Sequence, residues 1–105
     1  MKIVGISACA AGIAHTYIAK EKIISAAEKH GDTIHVETQG TIGTEDPLTA
    51  QEIADADIVL LTVDVKISGR ERFANKKVVE VPTDAAIKSP NKLIDKLHEL
   101  IVESN

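Results

Sequence analysis

Residues 9–16 (CAAGIAHT) contain the side chains of this chain with the greatest capacity for covalent chemistry. They lie between an apolar, β-branched segment at residues 2–7 and an amphipathic pattern at residues 13–29, which predicts a strand, a tight loop and a helix. Cys9, the single cysteine, is thereby placed beside the free backbone N–H groups of a helix start. Such groups favour the thiolate, the nucleophilic form of cysteine. The loop therefore predicts a nucleophilic sulfur at residue 9.

The small residues after Cys9 suit a phosphoryl group bound to the sulfur. Converging backbone amides can hold a dianion only where no bulky side chain blocks close approach. We predict that His15 and Thr16 also donate to the phosphate. Each residue has a structural alternative: Cys9 would be a small buried apolar residue, His15 a solvated residue, and Thr16 a helix residue bonded to its own backbone. The predicted phosphate-binding residues are Ala10, Ala11, Gly12, Ile13, Ala14, His15 and Thr16.

The spacing within this loop bears on the fate of the phosphate. His15 and Thr16 follow Cys9 by six and seven residues, offsets at which small cysteine phosphatases place an Arg and a Ser or Thr. An arginine would stabilise the transition state of hydrolysis, whereas histidine is a weaker and pH-dependent donor. We hypothesise that this difference suits a carrier that protects its phosphocysteine from water. A phosphatase remains the alternative, although Asp46-Pro47 is more typical of a turn than of an acid loop.

The elements that position this loop alternate between strands and helices. Strands are predicted at residues 2–7, 33–38, 57–63 and 77–81, and helices at 13–29, from Thr49 to about Ala56, at 69–74 and from Pro90 onward. The alternation predicts an α/β fold with an open four-stranded parallel sheet of order 2-1-3-4 and helices on both faces. All 105 residues are expected to form one domain.

Ligands of such sheets bind beyond the carboxyl ends of the strands. The predicted topology brings four segments to this edge: residues 9–16, residues 39–43, the segment after Asp64, and residues 82–83. Asp64 itself is interpreted equally well as a loop cap or as a functional carboxylate. Predicted partner-binding residues near the edge are Ile18, Gln39 and Gly40.

Composition excludes several classes of function. The net charge of −4, with interspersed signs and no basic run, argues against binding to nucleic acid or to an anionic membrane surface. One cysteine cannot form an internal disulfide, and neither a signal peptide nor a membrane-spanning run is present, so we expect a cytoplasmic protein. The absence of G-x-G-x-x-G, the scarcity of aromatic residues and the histidine spacing predict no cofactor and no metal.

The sequence resembles the IIB components of the fructose-type sugar phosphotransferase system, whose loop reads Cys-Pro-Thr-Gly-Ile-Ala-His-Thr. Cys9 and residues 12–16 match that pattern, and Tyr17 matches the Tyr or similar residue that follows it in the family. The similarity extends through residues 36–40, 54–59 and 64–65 to the Arg72-Phe73 pair. The resemblance implies that Cys9 accepts a phosphoryl group from phosphohistidine of a IIA protein. A membrane IIC protein would then present the sugar, fructose or a related one, to a carrier that we expect to be monomeric.

The sequence departs from the family pattern at two positions. Ala10 and Ala11 stand where the family has Pro and Thr, so the loop loses a hydroxyl beside the nucleophile and a residue that restricts the backbone. We expect slower transfer rather than none. A regulatory module that signals its phosphorylation state stays an alternative, since the same cysteine chemistry would serve it.

Overall fold

The computed structural model describes residues 1–10, 13–40 and 43–104. Within these ranges the strands are β1 (Lys2–Ala8), β2 (Thr33–Gly40), β3 (Gly43–Glu45), β4 (Ile58–Val63) and β5 (Val78–Val81). The helices are α1 (Ile13–Lys29), α2 (Ala50–Asp55), α3 (Thr83–Lys88) and α4 (Pro90–Ser104), with a 3-10 helix at Arg70–Phe73.

In the described part of the chain the strands form one five-stranded sheet of order β3-β2-β1-β4-β5. β2, β1, β4 and β5 are parallel, which confirms the predicted order of four parallel strands. The predicted number of four is wrong, because β3 adds an antiparallel edge strand beside β2. β3 has three residues, all exposed, so it lacks the apolar alternation by which a strand is recognised in a sequence.

The sheet is covered on both faces, as predicted. β4 shows this directly, because Ile58 and Leu60 belong to one apolar cluster and Val59 and Leu61 to the other. The first cluster also takes its residues from α1, α3 and α4, and includes Ile3, Ala19, Ile23, Ala26, Ala27, Val36, Ala86, Leu93, Ile94 and Leu97. The second packs α2 and the 3-10 helix on the opposite face, with Val4, Ile6, Leu48, Ile53, Ala56 and Phe73.

The helix boundaries follow their local signals. Thr49 and Glu52 form the predicted capping box, in which the Glu52 N–H donates to Thr49 Oγ1 at 3.1 Å and the Thr49 N–H to Glu52 Oε1 at 3.0 Å. α4 begins at Pro90, also as predicted. α3 was not predicted, because its six residues follow Pro82 and are too short to show a helical period.

Gly5 permits the close pairing of β1 with β4. A Cβ atom at this position would lie 2.7 Å from the carbonyl oxygen of Leu60, so any larger residue would push the two central strands apart. Among the described residues, no helix has the combination of length and hydropathy that a membrane crossing requires.

Candidate functional site

Cys9 directly follows β1 and is half-buried at the carboxyl edge of the sheet. The Asp64 N–H donates to the carbonyl of Ala8 at 3.0 Å, which fixes the loop after β4 against the end of β1. Cys9 lies on the wall of an open cleft of about 420 Å³, lined by Ala8, Cys9, Ala10, Gln39, Gly40, Gly43, Thr44, Val65, Lys66 and Ser68. The predicted meeting of the segments after β1, β2 and β4 is therefore confirmed.

A row of buried hydroxyl side chains crosses the sheet next to the site, and one of them, Ser7, holds the start of α1. Ser7, Thr38 and Thr62 lie in register on adjacent strands, on the face that α1 covers, and all three are buried. The Ser7 hydroxyl donates to the carbonyl of Thr16 at 2.8 Å, which ties the first turns of the helix to β1. The strand that leads into Cys9 and the helix that carries His15 and Thr16 are thus held together next to the site.

Asp64 lies beside the Cys9 thiol and is in hydrogen-bond contact with it. Its carboxylate accepts the Thr83 N–H at 2.9 Å and the Thr83 hydroxyl at 2.5 Å. These bonds from Thr83 stabilise the ionised form and hold the pKa of Asp64 below its ordinary value. Asp64 therefore acts as a link to α3 and also places a carboxylate next to the sulfur.

His15 is half-buried on the first turn of α1 and joins this group. Ligand atoms of Cys9, His15 and Asp64 all lie within 4.8 Å of one another. Nε2 of His15 also lies 3.5 Å from Oδ1 of Asp84, at the start of α3. The imidazole therefore lies close to the carboxylates of Asp64 and Asp84. The spacing of residues within the loop gave no indication of these two neighbours.

The remaining residues of the predicted phosphate loop are described in part. Ala10 and Ala14 are exposed, and Thr16 is buried, with 4% of its surface accessible. Ile13 opens α1 through its backbone. Ala11 and Gly12 lie outside the described residues. Phosphate binding by the loop stays a prediction.

Gln39, which we expected to contact a partner, uses its amide inside the protein. Its Oε1 accepts the Ser68 N–H at 2.8 Å, and its Nε2 donates to the Ser68 carbonyl at 2.9 Å and to Glu37 Oε2 at 2.9 Å. The Gln39 amide thereby satisfies both backbone groups of Ser68, as the backbone of a paired strand would. Gly40 and Gln39 still line the cleft, and Ile18 on α1 is 43% exposed, so partner binding by the three stays a prediction.

An ion pair between Arg72 and the buried carboxylate of Glu37 stabilises the same loop. Arg72 binds Glu37 bidentately, with both N–O distances 3.0 Å, and Glu37 also accepts the Leu48 N–H at 2.9 Å. Burial by itself raises the pKa of Glu37, yet the hydrogen bonds from Arg72, Gln39 and Leu48 outweigh burial and lower the pKa below its ordinary value. Glu37 is thus held as a charged, buried anchor under the cleft.

Asp46 lies at a bend directly after β3, where the sequence predicts a turn. It has a positive φ of 49° and binds Lys20 Nζ at 2.8 Å, while the preceding Glu45 accepts the Tyr17 hydroxyl. Both contacts attach the end of β3 to α1.

Lys66, Asp84 and the Asp64–Thr83 pair are parts of the site that sequence reasoning missed or left open. Lys66 was included only as part of the segment after Asp64, and nothing in the residues around it distinguishes it from other exposed lysines. The position of Asp64 at the end of an apolar strand was the available signal. Its partner Thr83 follows the next strand, β5, so the pairing depends on the order of the strands in the sheet.

Comparison with known proteins identifies the family. A family model described as the PTS system, Lactose/Cellobiose specific IIB subunit, matches residues 4–96. The chain is 43% identical over 103 residues to the PTS system fructose-like EIIB component 2 of Escherichia coli (strain K12), a match that covers 98% of this chain and 97% of that protein. It is 42% identical over 95 residues to the PTS system fructose-specific EIIABC component of Bacillus subtilis (strain 168), with 90% of this chain and 15% of the longer protein covered.

A solved structure agrees with these relatives. The solution structure of the Enzyme IIB subunit of the PTS system from Escherichia coli K12 has a TM-score of 0.91 and 36% identity to this chain, covering 98% of it and 95% of the solved chain. In this fold Cys9 stands at the carboxyl edge of the sheet, the edge at which the predicted topology places a ligand site. The chain belongs to the IIB components of the sugar phosphotransferase system.

Proposed function

We propose that this protein is a phosphocarrier whose Cys9 accepts a phosphoryl group from phosphohistidine of a IIA protein and passes it to a sugar bound by a membrane IIC protein. The observation that carries the proposal is the position of Cys9, half-buried on the wall of an open cleft at the carboxyl edge of the sheet. A sulfur in this position is fixed by its surroundings and remains within reach of a partner. We further propose that the carrier is a cytoplasmic monomer.

The relatives support both the partners and the sugar. The Escherichia coli relative of matching length is named a fructose-like EIIB component, and the Bacillus subtilis relative is named a fructose-specific EIIABC component. A name that joins A, B and C components supports IIA and IIC proteins as partners of this chain. Fructose or a related sugar is accordingly the proposed acceptor.

The proposed reaction consists of two in-line displacements. The Cys9 thiolate attacks phosphorus, and the S–P bond forms as the P–N bond to the donor imidazole breaks, with the electron pair leaving on nitrogen. A sugar hydroxyl then attacks, the O–P bond forms as the S–P bond breaks, the hydroxyl proton leaves, and the thiolate is regenerated. Phosphoryl transfer of this kind depends mainly on positioning and on charge stabilisation.

Two charges act on the transferred group in this proposal. Lys66 on the cleft wall attracts the phosphoryl oxygens, whereas the carboxylate of Asp64 next to the sulfur repels them. The repulsion raises the free energy of the phosphocysteine, which favours onward transfer to an acceptor. The amides of residues 10–16 and the side chains of His15 and Thr16 complete the proposed phosphate site.

Sugar phosphorylation in reconstituted membranes tests this function. Membrane vesicles that contain a fructose-type IIC protein but no IIB would be supplied with phosphoenolpyruvate, the general phosphotransferase proteins and a IIA protein. Addition of this chain is expected to restore fructose phosphorylation, at a rate reduced by Ala10 and Ala11, and Cys9→Ser is expected to abolish it. Restoration by Cys9→Ser would contradict the proposal, and release of inorganic phosphate from an aryl phosphate would favour the phosphatase.

A further inference from the structure

Three potential metal ligands converge at the carboxyl edge of the sheet. One ligand atom each from Cys9, His15 and Asp64 lies within 4.8 Å of the other two. The residues come from the end of β1, the first turn of α1 and the loop after β4. We propose that this cluster binds Zn²⁺ or a similar thiophilic divalent ion, and that the ion and the phosphoryl group compete for the Cys9 sulfur.

The dimensions and chemistry of the cluster suit such an ion. Zn–S bonds of about 2.3 Å and Zn–N and Zn–O bonds of about 2.0–2.2 Å place ligand atoms roughly 3.3–3.7 Å apart around a tetrahedral ion. Side chains whose ligand atoms are already within 4.8 Å can close around the metal by rotating slightly. The thiolate, imidazole and carboxylate set favours Zn²⁺ or Co²⁺ over Mg²⁺ or Ca²⁺, which select oxygen ligands. Three protein ligands would leave the fourth position of a tetrahedral ion to water.

Neighbouring residues orient two of the three ligands. Thr83 holds the Asp64 carboxylate through two hydrogen bonds, and Asp84 lies 3.5 Å from Nε2 of His15. Outer contacts of this kind strengthen metal sites by fixing the ligands. When the metal binds, the Cys9 thiol must lose its proton. Its S–H bond breaks, the S–metal bond forms, and the proton passes to solvent.

The consequence for phosphoryl transfer rests on the proposed function, whereas metal binding does not. Coordination withdraws charge from the Cys9 sulfur and places the ion with its other ligands beside it, so the loaded protein is expected to accept the phosphoryl group more slowly. A phosphorylated Cys9 in turn cannot ligate the ion. The spacing of the histidines in the sequence gave no indication of this site, because its ligands meet only in the folded sheet.

Cobalt binding tests the site without any phosphotransferase protein. The reduced chain would be titrated with Co²⁺, whose thiolate charge-transfer absorption reports a bond to cysteine. We expect one ion per chain, the charge-transfer band, and displacement by Zn²⁺. Cys9→Ser should remove the band, and His15→Ala and Asp64→Asn should each raise the dissociation constant by at least about tenfold. His35→Ala is the matched control, because His35 pairs with Glu52 on the other face of the sheet.

Two results would overturn the site. One is a titration without the thiolate band, which would place the ion elsewhere, for example at the stacked His30 and His98 rings with their partners Asp95 and Asp32. The other is a band that His15→Ala and Asp64→Asn leave unchanged. The competition is tested separately by phosphorylating the chain with and without Zn²⁺, and unimpaired phosphorylation of the loaded protein would contradict it.

Discussion

Thr83 binds the Asp64 carboxylate with both of its donors, the backbone N–H at 2.9 Å and the hydroxyl at 2.5 Å. The carboxylate next to Cys9 is therefore fixed by a residue nineteen positions later in the chain, at the start of α3. This contact joins the segments that follow β4 and β5, and it holds a negatively charged carboxylate beside the Cys9 sulfur.

Removing the Thr83 hydroxyl is expected to raise the pKa of Asp64. The two donors stabilise the charged carboxylate, so the folded-state pKa lies below the ordinary value of 3.8, and Thr83→Val removes one donor while it preserves the shape. A carboxyl NMR titration of both proteins measures the change. Thr83→Ser, which retains the hydroxyl, should leave the pKa close to that of the wild type. An unchanged pKa in Thr83→Val would show that the hydroxyl bond is not formed in solution.

Breaking the Glu37–Arg72 pair is expected to destabilise the fold by about 3 kcal/mol. The Glu37 side chain is 1% exposed, so Arg72→Met leaves an uncompensated carboxylate inside the protein. Urea unfolding measures the difference. Arg70→Met is the matched control, because Arg70 and Glu80 are 56% and 49% exposed and such surface pairs contribute about 0–1 kcal/mol. Equal losses in the two variants would contradict the assigned role of the buried pair.

Gly5→Ala is expected to cost about 1–3 kcal/mol of folding stability, because overpacking between β1 and β4 forces the backbone to move. The added Cβ would lie 2.7 Å from the Leu60 carbonyl oxygen. Gly40→Ala provides the comparison, since no atom of the described residues, its chain neighbours aside, lies within 4 Å of its added Cβ, and a change of less than about 0.5 kcal/mol is expected. Thermal or urea unfolding of both variants measures the costs. A neutral Gly5→Ala would show that the two strands can separate freely.

Ile18→Gln is expected to weaken docking of the phosphoryl donor while the fold stays intact. Ile18 is a 43% exposed apolar side chain on α1 near the Cys9 loop, and loss of about 1.4 kcal/mol of contact corresponds to a tenfold weaker association. The concentration of IIA protein needed for half-maximal phosphorylation measures the effect. Val102→Gln, at a residue 74% exposed near the end of α4, is the control and should leave that concentration unchanged. Similar values for both variants would remove Ile18 from the proposed docking surface.

The sequence carried most of the information about the sheet. Apolar β-branched runs and the capping box at Thr49 located the four parallel strands and α2, because burial on both faces and helix capping each leave a local pattern. β3 could not be found in this way. Its three residues are all exposed, so they show no apolar pattern, and only their antiparallel pairing with β2 makes them a strand. α3 was missed for a related reason, as six residues give too little periodicity.

The site was predictable to the extent that it is local. Residues 9–16 follow one another, so their types and spacing could be interpreted together. The contacts of Asp64 with Thr83 and of Gln39 with Ser68 join segments that are far apart in the chain. Gln39 illustrates the difficulty, because a polar residue at a strand end is equally suited to a partner and to a neighbouring loop.

The central claim, that Cys9 carries the phosphoryl group, is tested most directly by the intact mass of the protein. The chain would be incubated with phosphoenolpyruvate, the general phosphotransferase proteins and a fructose-type IIA protein, without sugar or IIC protein. We expect one phosphoryl group on the wild type, stable at neutral pH, and none on Cys9→Ser. An unmodified wild type, or an equal adduct on Cys9→Ser, would contradict the account.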